Sequence, residues 1–352
     1  MGLECPTTMD LPILQDQYRR PMRALRISVT DQCNLRCGYC MPEESYTWLP
    51  RSRILRYGQI TELVRAATDL GVTKVRLTGG EPLLRKELWR LVEQLAAIDA
   101  IQDLAMTTNG VLLKEHSADI FSAGLQRLTV SLDTLRPERF KELTRRGDLS
   151  RVLAGLQVAQ ELCPTPIKIN CVAMKGVNDD ELESMLDWAL TEGFELRFIE
   201  YMDVAGATGW SNAQVLPRAE ILHRIEKTFG APTPAPKEGA APADRFHIDG
   251  RGSFGVIAST SSPFCGTCDR VRLTADGTLY TCLYSEEGTD LGTAIRAGHT
   301  REQLAQQLAA IWTQRKDRGA EERLALADER GILATASHLR TRPGWEMHTK
   351  GG

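Results

Sequence analysis

Arg26-Ile27-Ser28-Val29-Thr30-Asp31-Gln32-Cys33-Asn34-Leu35-Arg36-Cys37-Gly38-Tyr39-Cys40-Met41-Pro42 is the stretch from which the rest of the chain is read. A short β-branched run, 27–30, leads into three cysteines spaced C-x3-C-x2-C. Clustered thiolates suit a soft metal centre. Structural zinc takes four protein ligands, and a [4Fe–4S] cube takes one per iron. Three local cysteines leave one iron without a protein ligand unless a distant residue supplies it. An iron so exposed is a binding position for a small molecule. The competing reading is a zinc knuckle with a borrowed ligand. The nearest histidine, His116, falls in a helical stretch.

The 352 residues are 42% hydrophobic and 25% charged, with a formal net charge of −3. That is the balance of an ordinary globular chain, and it holds no basic surplus for nucleic acid or an anionic membrane. Residues 1–23 include Asp10, Asp16, Arg19 and Arg20 and lack the apolar run of a signal peptide. No stretch approaches the roughly 18 apolar residues of a membrane-spanning helix. The chain reads as cytoplasmic. In a reducing compartment its nine cysteines point to metal or redox chemistry rather than disulfides. Six of them form two triplets. Cys5 falls in the N-terminal lead-in, and Cys163 and Cys171 read as small core residues.

Strand patterns occur at 25–30, 74–78, 104–108, 127–131, 167–173 and 195–200. Helical patterns lie between them, at about 57–70, 86–98, 114–123, 150–162 and 180–191. Repeated β-then-α units imply a parallel sheet with right-handed crossovers. Periodicity does not choose between an open barrel and a flatter sheet. In either, ligands gather at the C-terminal ends of the strands, where the first cysteines sit. After residue 203 the pattern changes. A helix at 218–229 precedes an Ala/Pro-rich linker, 230–243, which reads as a flexible surface excursion. Strand character follows over 245–260, then a hairpin about Asp276-Gly277 between 271–274 and 278–283, then helices at 290–297 and 301–313. This divides the chain into a lead-in (1–23), a β/α body (24–229), the linker (230–243), an extension (244–314) and a charged tail (315–352) ending in Gly351-Gly352.

The cysteine stretch resembles the signature of the radical S-adenosylmethionine superfamily. The resemblance implies that Cys33, Cys37 and Cys40 hold a [4Fe–4S] cluster. The open iron then takes the amino and carboxylate groups of S-adenosylmethionine, whose reductive cleavage gives a 5′-deoxyadenosyl radical. It also implies that Tyr39 lies along the adenine. Thr78-Gly79-Gly80-Glu81-Pro82 is by itself a weak signal, equally a strand-to-helix turn with Glu81 as an N-terminal charge. Within the resemblance it is the element that holds the methionine amino group, through Gly80 and Glu81. Its glycines would let backbone approach a ligand closely. Ser131 and Met202 match positions that contact the rest of that cofactor.

The second triplet is Cys265-x2-Cys268-x13-Cys282. Spacing alone leaves open a zinc ribbon borrowing His247 or His299, or a second cluster. The run 264–273 narrows the resemblance to the GTP 3′,8-cyclase family of molybdenum cofactor biosynthesis, over about residues 15–315 and the Gly-Gly end. This implies an α/β fold, an incomplete parallel (β/α)6 TIM-like barrel with a C-terminal extension. The extension would carry a second [4Fe–4S] cluster on Cys265, Cys268 and Cys282, whose open iron receives the guanine edge. Arg26, Arg76, Thr107, Lys168, Arg270, Val271 and Arg272 match GTP-binding positions, with Lys74 a weaker candidate. Arginine binds phosphate through paired donors, and Arg270 and Arg272 alternate along a strand and so share a face. Most of the 43 Lys and Arg residues are nonetheless solvated surface charges.

The implied reaction is radical cyclisation of GTP to (8S)-3′,8-cyclo-7,8-dihydroguanosine 5′-triphosphate, the first step of the pathway. The radical takes the 3′ hydrogen, and C3′ attacks guanine C8. The implied partners are an electron donor such as flavodoxin or ferredoxin and, downstream, cyclic pyranopterin monophosphate synthase; the chain would act as a monomer or homodimer. The alternative is a radical enzyme that modifies a peptide beside an auxiliary cluster, which needs no convergent cations. One departure stands out. Lys350 replaces the usual hydrophobic residue before Gly351-Gly352, in a tail that the resemblance brings into the active site.

Overall fold

The computed structural model describes residues 14–351; Cys5, the first part of the lead-in and Gly352 lie outside it. The strands are β1 (Ala24–Ser28), β2 (Lys74–Thr78), β3 (Asp103–Thr108), β4 (Arg127–Ser131), β5 (Lys168–Ala173), β6 (Glu195–Glu200), β7 (Thr233–Pro234), β8 (Asp244–Ile248), β9 (Gly252–Ile257), β10 (Arg270–Leu273), β11 (Thr278–Tyr280) and β12 (Thr289–Asp290). The helices are α1 (Tyr57–Thr68), α2 (Trp89–Ala96), α3 (Leu113–Ser122), α4 (Pro137–Thr144), α5 (Leu149–Leu162), α6 (Leu182–Thr191), α7 (Arg218–Phe229), α8 (Gly292–Arg296), α9 (Arg301–Thr313), α10 (Gly319–Leu324) and α11 (Ala336–Thr341).

All strands join one open sheet, in the order β12-β11-β10-β1-β2-β3-β4-β5-β6-β9-β8-β7. The six expected strands run parallel and in sequence order. Right-handed crossovers between sequential neighbours put their helices on one face. Side chains alternate across that sheet. Leu25, Ile27, Val75, Leu77, Leu104, Met106, Val130, Ile169 and Phe198 are buried in the main core beneath the helices. Each such burial contributes roughly 1.5–3 kcal/mol. The opposite positions carry Arg26, Arg76, Thr107, Ser131, Lys168 and Arg197, one from each of the six strands, and all line a single cavity. A parallel sheet is usually apolar on both faces. This one is polar on the second face because that face bounds a binding space.

The extension covers both edges of the six-stranded sheet. β10 pairs in parallel with β1, and β9 with β6. Antiparallel hairpins then continue outward through β11 and β12 on one side and through β8 and β7 on the other.

One expectation changes, and three further stretches show structure the sequence did not specify. The linker is not a free excursion: it contains β7, and residues 236–243 line the cavity. The described part of the lead-in is anchored: Asp16 and Arg20 form a buried ion pair at 2.5 Å, and Arg20 Nη1 donates to the Cys265 carbonyl at 2.9 Å. The tail is helical in part and docked, with Leu339, Trp345, His348, Thr349 and Lys350 buried. Helix α4 has no apolar stripe, since only Phe140 and Thr144 are buried on it; its signal is Pro137 at the first helical position. As expected, Cys171 is a core residue, while Cys163 caps α5 and is only partly buried. Among the described residues no helix is long and apolar enough to cross a membrane.

Candidate active site

The first cysteines occupy the loop after β1. That loop is held by the next one along the sheet. The Gly80 and Glu81 amides donate to the Thr30 and Gln32 carbonyls at 3.0 and 2.7 Å. A Cβ on Gly80 would lie 2.2 Å from the Gln32 oxygen, and one on Gly79, at φ +145°, 2.4 Å from the Thr30 oxygen. The two glycines are therefore required by the cysteine loop's own backbone. Glu81 is fully buried and accepts bonds from the Leu83 amide (3.0 Å), the Thr108 hydroxyl (2.7 Å) and the Asn109 amide (2.8 Å). Burial raises its carboxyl to about 7 against those three donors. Its carboxylate thus acts as an internal brace, and neither Gly80 nor Glu81 lines the cavity. Asn109, which sequence reasoning missed, carries the brace onward: its Nδ2 donates to Asn34 Oδ1 at 2.8 Å and lies 3.8 Å from Cys33 Sγ.

The cavity has a volume of about 650 Å³. Tyr39, Ser131 and Met202 are among the residues that line it. The Tyr39 hydroxyl donates to Asp133 Oδ2 at 2.7 Å, and Asp133 Oδ1 accepts from the Val172 amide at 2.8 Å. Asp133 is a second residue the sequence did not reveal. Tyr39, Met202, Cys282 and Met347 also pack on a satellite core around Tyr201, Trp210 and Tyr284. That core joins the first cysteine loop, the end of β6, the second triplet and the tail.

Arg26, Lys74, Arg76, Thr107, Lys168, Arg270 and Arg272 line the same cavity. Among the described residues none of the four arginines pairs with a carboxylate. Arg76 Nη1 donates to the Thr107 and Thr129 hydroxyls at 3.1 Å each. Burial pulls Arg26 well below its ordinary range, with Arg272, Arg270 and Arg76 adding to the effect. Burial likewise lowers Arg76 and Arg272 to about 10 and Lys168 to about 8. Such a cluster of cations seats an anion with several charges. Arg127 and Arg197 belong to this wall too and were not foreseen. The side chain of Val271 is 1% exposed and lies in the main core, because it alternates with Arg270 and Arg272. Only its main chain is left to meet a ligand.

Cys265, Cys268 and Cys282 also line the cavity, whereas Cys33, Cys37 and Cys40 are not part of its lining. Among the described residues no three Cys, His, Asp or Glu side chains converge on one metal-ion position. The donor chemistry nonetheless fits a soft cluster. Burial opposes ionisation of Cys268, but Arg270 and Arg315 outweigh it and bring the thiol down to about 6. Arg270 Nη2 lies 3.4 Å from that sulfur, and Arg270 Nε is buried without a partner. A Cβ on Gly319 would stand 3.1 Å from Cys282 Sγ, so the glycine lets main chain pack closely against that sulfur. Burial raises the thiols of Cys33, to about 11, and Cys37, so their ionisation accompanies ligation.

The tail enters the same space. Arg272 Nη1 donates to the Lys350 and Gly351 carbonyls at 3.2 and 3.0 Å, and Arg26 Nη1 to the Gly351 carbonyl at 3.3 Å. Lys350 is fully buried, and burial, with Arg272 beside it, lowers its ammonium to about 7.

Comparison with known proteins places this site in a family. The profile of the Radical SAM superfamily matches residues 27–189, and that of Molybdenum Cofactor Synthesis C matches 194–321. GTP 3′,8-cyclase 1 of Mycobacterium tuberculosis (strain ATCC 25618 / H37Rv) is 48% identical over 343 residues, covering 96% of this chain and 95% of its own. GTP 3′,8-cyclase of Acidothermus cellulolyticus is 44% identical over 345 residues, covering 95% of each. The crystal structure of Streptococcus suis SuiB bound to S-adenosylmethionine matches with a TM-score of 0.60 at 16% identity, over 88% of this chain and 70% of that one, a likeness of fold. The chain belongs to the GTP 3′,8-cyclases, radical S-adenosylmethionine enzymes of molybdenum cofactor biosynthesis, with GTP as the substrate.

Proposed function

We propose that the chain converts GTP to (8S)-3′,8-cyclo-7,8-dihydroguanosine 5′-triphosphate within the one cavity between sheet and extension. The observation that carries this is the meeting of two sets of residues in the lining of one cavity of about 650 Å³: Tyr39, Ser131 and Met202, and the arginines with Cys265, Cys268 and Cys282. Cys33, Cys37 and Cys40 would hold one [4Fe–4S] cluster and Cys265, Cys268 and Cys282 another. When bound, these supply one-electron reduction of S-adenosylmethionine and a seat for the guanine.

The remaining roles fall to the chain itself. Tyr39, oriented by Asp133, would lie along the adenine, and Ser131 and Met202 would bound the rest of the cofactor. Gly80 would contribute through its main chain, with Glu81 bracing it. Arg26, Arg76, Lys168, Arg270 and Arg272 would hold the triphosphate, with Thr107 orienting Arg76. Enclosure matters because a primary carbon radical reacts with its nearest neighbour, so the walls must present only the 3′ hydrogen.

The same reading makes the six-stranded sheet an incomplete (β/α)6 barrel over residues 24–229, with 244–314 as the extension over its mouth. It takes the chain as a cytoplasmic monomer or homodimer. Its electron donor is of the flavodoxin or ferredoxin kind, and its product passes to cyclic pyranopterin monophosphate synthase. Anaerobic reconstitution tests the core of it. Iron and sulfide equal to two cubes, with GTP-dependent 5′-deoxyadenosine and a cyclised product, support it; bound zinc, or 5′-deoxyadenosine formation indifferent to GTP, overturns it.

A further inference from the structure

Lys350 is a fully buried charged residue in the tail, and its surroundings give it a purpose. Its Nζ donates to the Leu283 carbonyl at 3.2 Å and the Ser285 carbonyl at 2.5 Å, and lies 4.4 Å from the centre of the Tyr280 ring. Two acceptors and an aromatic face therefore surround a group with three donors. An apolar side chain of the same length would fill the volume but leave these two carbonyls without that donor, at a cost for any that stays dry. Both carbonyls belong to the loop that follows Cys282.

The neighbouring residue points the other way. Gly351 has φ +65°, and a Cβ there would lie 2.1 Å from Thr78 Cγ2 and 3.4 Å from Ser28 Oγ. Its carbonyl is the shared acceptor of Arg26 and Arg272. Upstream, the segment is tied independently: the Met347 amide donates to the Ala205 carbonyl at 2.7 Å, and Trp345 Nε1 to the Tyr284 carbonyl at 3.4 Å. Lys350 is thus the last side-chain tie before the arginine contacts.

We propose that Lys350 is a positioning residue for the cyclisation: its ammonium pins the tail to the loop after Cys282, and this sets the Gly351 carbonyl on Arg26 and Arg272. The proposal rests on the reading that those two arginines hold the substrate. The tie works through hydrogen bonds to main chain, so the tail's seat and the second triplet's loop move together. Arg26 and Arg272 have no carboxylate partner, and the seated carbonyls are what fix their guanidinium planes.

The test has a part that needs no catalysis. In the unloaded chain, Lys350→Met should speed amide hydrogen exchange over 348–351 by about 30-fold or more, the loss of two hydrogen bonds. Exchange in β1–β6 should not change. Lys350→Arg, which keeps donors, should restore most of the protection. In wild type, amine acylation of Lys350 should be at least about tenfold slower than that of exposed Lys141, since opening of the tail gates it. This measurement stands if the methionine variant fails to fold. Unchanged tail exchange in Lys350→Met, or acylation of Lys350 as fast as of Lys141, overturns the proposal. In the reconstituted enzyme, Lys350→Met should still make 5′-deoxyadenosine but yield cyclised product for less than about half of it, because misplacement costs productive geometry. Full coupling with a loosened tail overturns the positioning role and leaves the cyclase reading intact. Wild type that makes no cyclised product sinks the cyclase reading while the exchange result stands.

Discussion

Replacing Gly80 by alanine puts a methyl carbon 2.2 Å from the Gln32 carbonyl oxygen, 2.5 Å from its carbon and 2.8 Å from the Asp31 oxygen. These neighbours are backbone, so no side chain can swing aside. The two loops must separate, which lengthens the Gly80-to-Thr30 and Glu81-to-Gln32 hydrogen bonds, now 3.0 and 2.7 Å. Overpacking of this kind costs about 1–3 kcal/mol and each bond about 1 kcal/mol, so the total is about 3–5 kcal/mol. A chain of this length unfolds with an entropy near 0.7 kcal/mol per degree, so the melting temperature should fall by about 4–7 °C. Thermal unfolding of the unloaded chain, followed by circular dichroism, measures this. Iron uptake on anaerobic reconstitution reports whether the cysteine loop still closes, and it should fall. Gly38→Ala is the control: it sits between Cys37 and Tyr39, nothing lies within 4 Å of its Cβ position, and the change should stay within about 0.5 kcal/mol. A Gly80→Ala protein that melts within about one degree of wild type and loads iron normally would refute the reasoning.

Three further outcomes follow from the site. Glu81→Gln sets an amide donor against the Leu83, Thr108 and Asn109 donors and should cost about 2–3 kcal/mol in urea denaturation; a variant as stable as wild type would remove the brace. Burial lowers Lys168 to about 8, and a polyphosphate favours its charged form. GTP affinity should therefore be full below about pH 8 and fall towards tenfold per unit above it, a slope that Lys168→Met should lack in calorimetric titrations; a variant that keeps the slope assigns it elsewhere. Arg270→Ala should weaken GTP binding by about 10–100-fold with iron content intact, the scale of one charge-assisted contact; unchanged affinity takes Arg270 out of the site.

Much of the fold was legible because it rests on local periodicity. The strands at 74–78, 127–131 and 195–200 and the helix at 301–313 lie where the pattern put them. What escaped depends on partners far along the chain. Gly79 and Gly80 read as room for a ligand, because nothing in sequence says that residues 30–32 press on them. Arg127 and Arg197 went unnoticed, although register gives them away: Arg76 pairs with Ala105, Ala105 with Arg127, and the inward positions run on to Lys168 and Arg197. The linker's Ala/Pro composition suggested solvent, and the tail's charge gave no hint of its partners. Yet residues 236–243 line the cavity, and Lys350 is buried because main-chain carbonyls, which carry no sequence signature, receive it.

The sheet's pairing order has a consequence for how the chain reaches its native state. β1 waits for β10, about 246 positions later by their first residues, and β6 waits for β9. Until then the first six strands expose two unpaired edges that carry apolar residues, Leu25 and Ile27 on β1 and Leu196, Phe198 and Ile199 on β6. Non-local parallel pairing of this kind is slow and leaves collapsed intermediates open to edge-to-edge association. A fragment ending near residue 229 would keep both edges bare. Expressed alone it should aggregate, and during synthesis the full chain has its longest exposure while residues 200–270 are still emerging.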